Sequence, residues 1–95
     1  MLKAFQAYRL AKQRKTERAE NDITSRINGH IETAAKDGYM NCDVWVSKEI
    51  YYEVSHILAQ EYGYNVFHLC HETPIQRTMN ISWAHAHDVI EEEKQ

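Results

Sequence analysis

The spacing of apolar residues changes from one stretch of this chain to the next, and each change predicts an element. Ile23, Ile27, Ile31 and Ala34 recur at intervals of four and three, the repeat of a helix with one face on a core. Asn21 or Asp22 offers a side-chain oxygen to the free N–H groups at its start. Asp37-Gly38 ends it, because glycine enters the left-handed cap conformation without a Cβ clash. Met40, Cys42, Val44 and Val46 then alternate with Tyr39, Asn41, Asp43 and Trp45, which predicts a half-buried strand. Ser47 as N-cap and Glu49 in the first turn open a helix over 48–62, with Ile50, Val54, Ile57 and Leu58 as its stripe and Gly63 as its stop. Residues 64–71 and 78–83 read as two further strands, the second with Met79, Ile81 and Trp83 on one side. The connection 72–76 holds the single proline, Pro74, and predicts a hairpin loop.

Upstream, residues 2–20 lack Pro and Gly and are rich in Ala, Leu, Lys, Arg, Gln and Glu, so they predict one more helix. Its apolar residues Leu2, Phe5, Tyr8 and Leu10 thin out after Ala11, and its second half is expected to face solvent or a partner. The resulting expectation is an α+β fold: a small three-stranded mixed sheet, β-α-β-β, with packed helices and an N-terminal helical extension. A right-handed crossover would set the first two strands parallel, and the hairpin would add the third antiparallel to the second. The chain divides into a basic N-terminal helix (1–20), an α-β-α-β-β core (22–83) and an acidic C-terminal tail (84–95). In that tail Glu91, Glu92 and Glu93 would oppose a helix dipole and favour fraying. Tyr39 and Trp45, Phe67 and Leu69, and Met79 and Trp83 make the sheet bulky on both faces, so a second layer is expected from the N-terminal helix or another subunit.

Composition strengthens the last point. Of 95 residues 43% are hydrophobic, but six are tyrosines that keep a wet hydroxyl, so a homo-oligomer, most simply a two-fold dimer, is expected. No apolar run nears the roughly 20 residues of a membrane helix, and the first residues lack a signal-peptide apolar stretch, so a cytoplasmic protein without a membrane partner is expected. The net charge of −3 conceals an asymmetry. Residues 1–18 carry six cations against Glu17, a balance of +5, while the remainder carries five against thirteen carboxylates, a balance of −8. Clustered cations can contact phosphates, yet the acidic remainder would repel a polyanion and no helix-turn-helix or RNA-binding aromatic motif is present. Nucleic acid is not the expected partner.

Candidate chemistry narrows the choice further. His68, Cys70 and His71 lie close together, and His85 and His87 form a pair, but zinc needs three or four converging ligands. On a strand His71 points away from His68 and Cys70, so no metal is expected. The same alternation separates Cys70 from His71 as a thiolate and base. Cys42 and Cys70 lack C-x-x-C spacing and are expected to be reduced and buried. Three glycines form no phosphate-cradling loop and no serine sits in a strained turn, so neither enzyme activity nor a cofactor is expected.

A small-ligand site fits better. Aromatic planes stack on flat rings, and Arg and Lys meet phosphates; Tyr39, Trp45, Tyr64, Trp83, Lys48 and Arg77 lie on or beside strand ends, with Arg9 as a further cation on the basic helix. Arg77 and Trp83 are six residues apart on one face, about 20 Å by the strand rise. One small ligand cannot touch both within a subunit.

The segments IETAAKDG (31–38), YMNCDVWV (39–46), GYNV (63–66) and ISW (81–83) resemble a widespread group of small bacteriophage proteins over about residues 23–83. These share a charged N-terminal helix, an alanine pair before a glycine, and strands with G-Y-x-V and I-S-W. HLCH (68–71) and HAH (85–87) lie outside the shared motifs. Some small phage proteins of this general kind resemble viral sponges, which sequester cyclic nucleotide signals of host anti-phage defence without cleaving them. The resemblance implies a phage protein in the host cytoplasm that binds a small anionic ligand. The rival expectation is a structural or adaptor protein that grips a host or phage protein through its basic helix.

Overall fold

Ile23, Ile27 and Ile31 are all buried, and the helical stretch that carries them is longer than the sequence predicts. In the computed structural model, which describes residues 1–85, α1 (Ala4–Asp22), a π-helical turn (Ile23–Ile27) and α2 (Asn28–Lys36) follow one another with helical backbone throughout. Asn21 and Asp22 therefore do not cap a second helix. Asp22 instead accepts two hydrogen bonds from Arg26, at 2.9 and 2.8 Å, and Arg26 also donates to the Trp45 carbonyl. The Thr24 and Ser25 hydroxyls donate to the carbonyls of Glu20 and Asn21, and such back-bonding competes with the regular ladder where the helix widens. At the far end Gly38, at φ 89°, lets the Gly38 and Tyr39 N–H groups reach back to Ala35 and Ala34, so the expected glycine stop holds.

β1 (Asn41–Ser47), α3 (Tyr51–Gln60), β2 (Asn65–Glu72) and β3 (Gln76–Ser82) complete the described chain. The α+β class and the three strands stand where the sequence places them. Their neighbours differ: the order is β1-β3-β2, and β3 runs antiparallel to both. The expected mixed sheet is thus antiparallel in every ladder, with β1 and β2 pointing the same way but separated by β3. Burial agrees with the central place of β3: Met79 and Ile81 are fully buried on its helix side and Thr78 is buried on the opposite side. The crossover through α3 leaves a gap one strand wide, and the hairpin return fills it. Val44 and Val66 then lie opposite Met79 and Ile81, and the β2 register shifts between His68 and Glu72.

The core is one cluster: the isoleucine stripe of the long helix, Val44 and Val46, Met79 and Ile81, and Ile50, Tyr51, Val54, Ile57 and Leu58 around α3. Each such side chain contributes about 1.5–3 kcal/mol of burial. α3 begins later than predicted, because Ser47 completes β1 and Ile50 takes the cap position, its N–H bonded to the Ser47 carbonyl. Met40 precedes the strand and is exposed, contrary to its expected inward side. The hairpin loop is shorter than expected, with Thr73 Oγ1 accepting from the N–H groups of Ile75 and Gln76.

Burial along α1 runs opposite to the expectation. Residues 1–15 are all exposed, including Leu2, Phe5, Tyr8 and Leu10, whereas Ala19 in the second half is fully buried. Only the second half lies close enough to the body to bury a side chain, so the first half forms an arm. That arm does not cover the second face of its own sheet, where Trp45 and Phe67 stay exposed. The expected acidic tail and His87 fall mostly or wholly outside the described residues. Among the described residues no helix is long and apolar enough to cross a membrane.

Candidate anion-binding site

Two of the predicted ligand residues meet where the chain turns from β1 into α3. Lys48 follows β1 directly, its N–H donating to the Ile75 carbonyl of the hairpin loop, and Arg77 lies one position into β3 opposite Val46. Together with Tyr51, Tyr52 and Glu72 they line an open hollow of about 180 Å³. The guanidinium of Arg77 sits 5.1 Å from the centroid of the Tyr51 ring, within cation–π range. Lys48 Nζ is 3.0 Å from Glu72 Oε2. Tyr51 is pinned from its other end, its hydroxyl 2.6 Å from His68 Nδ1, and its ring stands edge-on to Tyr52, a residue that is 75% exposed.

The electrostatics follow from these contacts. Burial pushes the Tyr51 phenol above its ordinary range; the Arg77 charge pulls the other way and Tyr52 adds a small upward push. The Tyr51 phenol therefore keeps its proton at neutral pH. Hydrogen bonding to Lys48 and the Lys48 charge hold the Glu72 carboxyl below its usual range, with Arg77 adding to the effect. The hollow thus presents two cations, one carboxylate that neutralises part of their charge, and an exposed ring. By size it takes one phosphate group with a ring beside it, well short of the enclosed pockets of about 300–1,000 Å³ that swallow a whole ligand.

The other predicted residues are not brought here. Tyr64 and Trp83 pack edge to face at the far end of the sheet, centroids 6.2 Å apart, partly buried against the core. The Trp83 backbone N–H donates to the Met40 carbonyl, so this bond and the edge-to-face pair together clamp the strand end. Tyr39 is exposed beside Met40, Arg9 is exposed on the arm, and Trp45 lies on the open sheet face. The seven residues named from the sequence are therefore split among separate places: Lys48 with Arg77 at this hollow, Tyr64 with Trp83 at the far end of the sheet, and Tyr39, Trp45 and Arg9 apart from both.

Tyr51, Tyr52, His68 and Glu72 were not expected there. Tyr51 had a visible signal, since it stands three and seven residues before Val54 and Leu58 on the same helix stripe. The Tyr51–His68 contact spans two elements and leaves no such trace. Cys70 is exposed on the edge strand rather than buried, and Cys42 is half-buried, its thiol raised by burial and by Asp43. Among the described residues no three His, Cys, Asp or Glu side chains are grouped to hold a metal ion. No family model, curated protein or solved structure matches this chain.

Proposed function

We propose that this protein is a non-enzymatic binder of a small anionic ligand, held at the hollow of Lys48, Arg77, Tyr51 and Tyr52. The observation that supports it is the cation–π contact of Arg77 with Tyr51, which holds a guanidinium in the lining of a hollow shared with a second cation. A phosphate oxygen pair meets the guanidinium and Lys48 displaces its bond from Glu72 to the ligand. A flat base then stacks on the exposed Tyr52 ring. The ligand class that combines phosphate with flat rings is a nucleotide. In the phage reading drawn from the sequence motifs, it is a cyclic nucleotide signal of host anti-phage defence, sequestered in the host cytoplasm by a homo-oligomer.

Incubation with a panel of cyclic di- and trinucleotides, with inorganic phosphate as control, tests this reading. A rise in Tm with a nucleotide, and recovery of that nucleotide intact after heat denaturation, is the expected result. Degraded ligand would indicate an enzyme, and no response to any nucleotide would remove the ligand reading. The adaptor reading draws on one observation, the exposure of Leu2, Phe5, Tyr8 and Leu10 on the basic arm. It is favoured if the panel is silent and the arm captures a specific protein.

A further inference from the structure

The stripe that α1 sends into the core does not stop where the body stops. Ala19, Ile23, Ile27 and Ile31 are buried, and counting back from Ala19 at helical spacing gives Thr16, Lys12, Tyr8 and Phe5. Tyr8, Lys12 and Thr16 line the open grooves that separate α1 from α3, which places them on the body-facing side. That side borders α3 of its own chain only through open grooves, so Phe5 and Tyr8 stay largely exposed beside Arg9 and Lys12 and keep apolar surface for a further contact.

The opposite need exists on the sheet. Trp45 and Thr78 are cross-strand partners on the face turned away from the helices, and Phe67 of β2 shares that face opposite Asn80. Trp45 and Phe67 are 43% and 53% exposed. Thr78 is buried, and its Oγ1 has no hydrogen-bond partner among the described residues. Asp43 stands on the same face, its Oδ1 accepting from Asn80, and carries a charge opposite to that of the arm.

We infer that the arm of one copy lies across the open sheet face of a second copy, and the second arm returns across the first. Charge favours a copy of this chain as occupant: the first 18 residues carry +5, the remainder −8, and Asp43 stands on the open face itself. Length agrees, because helical residues 4–15 span about 18 Å at the rise of an α-helix, and a three-stranded face with seven-residue strands measures about 14 by 23 Å. A reciprocal exchange buries Phe5 and Tyr8 against Trp45 and Phe67 twice per pair and closes as a two-fold dimer.

Light scattering on the full chain tests the exchange. Wild type at about 100 μM, ample for a micromolar dimer, is expected at the dimer mass. Phe5→Glu and Trp45→Glu, each checked for native circular dichroism, are expected at the monomer mass. An equimolar mixture of the two variants is expected to associate again, since the arm of the Trp45→Glu chain and the sheet face of the Phe5→Glu chain are both intact. A monomeric wild type would leave both surfaces to a different partner and overturn the inference. So would a dimer that survives either substitution, or a mixture that stays monomeric.

Discussion

Arg77 and Tyr51 form a cation–π pair that joins the central strand to the start of α3, the guanidinium carbon 5.1 Å from the ring centroid. The pair couples fold to site, because the ring that packs in the core also orients the cation that faces solvent. Tyr51 is 2% exposed, so the platform under Arg77 has little freedom to move.

Arg77→Ala removes the fixed cation and is expected to weaken anion binding about tenfold or more, the scale of one charge-assisted contact. Its cost in stability is about 1 kcal/mol, from the lost cation–π contact and stem packing. Arg77→Lys keeps the charge but not the planar fork, and is expected to recover only part of the affinity. Calorimetric titration alongside thermal melts separates the two effects.

Glu72 competes with the ligand for Lys48. Glu72→Gln is therefore expected to strengthen anion binding by about threefold, in keeping with an exposed ion pair. The pH dependence follows with a definite sign. The carboxyl is depressed in the fold, so its pairing supports stability above the ordinary carboxylate range and is lost as pH falls through the lowered value. Anion affinity should run the other way, rising as Glu72 protonates, and the Gln variant should lack that rise. An affinity profile from pH 7 down to pH 3 checks both.

Trp83→Ala is expected to cost about 2–3 kcal/mol, less than a fully buried tryptophan, because Trp83 is half-buried and keeps an edge-to-face contact with Tyr64. Affinity for the ligand at Arg77 should not change. Denaturant melts and titrations of this variant show whether the Tyr64–Trp83 clamp is structural, as expected, or part of the site.

The two thiols should differ in reactivity. Cys70 is exposed on β2, while Cys42 is half-buried and its thiol is raised by burial and by Asp43. Alkylation near pH 8 is expected to modify Cys70 first, and Cys42 at a comparable rate only after unfolding. Mass spectrometry of the alkylated peptides reads the order.

Elements with a local period were legible in the chain. The alternation Cys42, Val44, Val46 and the stripe Ile23, Ile27, Ile31 mark burial that depends on each element alone, and Gly38 and Gly63 mark stops through their positive φ. Strand order was not legible, because the central place of β3 depends on pairing with strands far away in the sequence, a property no stretch of β3 displays by itself. The break expected at Asn21 failed for a related reason: capping residues also serve inside a helix when a partner such as Arg26 stands one turn on. Of the site, Lys48 and Arg77 could be named from chemistry. Their grouping with Tyr51 required the turn at 47–50 to bring α3 back over the sheet, and the distance between Arg77 and Trp83 already excluded one site for both.

The most direct measurement is a nuclear magnetic resonance titration of the full chain with a cyclic dinucleotide, following backbone amides and the arginine Nε–H groups. Binding at the proposed hollow predicts saturable shifts confined to Lys48, Tyr51, Tyr52, Glu72 and the Arg77 side chain, and their loss in Arg77→Ala. Shifts centred on Tyr64 and Trp83 or on the basic arm, or none at ligand concentrations of about 1 mM, would contradict it.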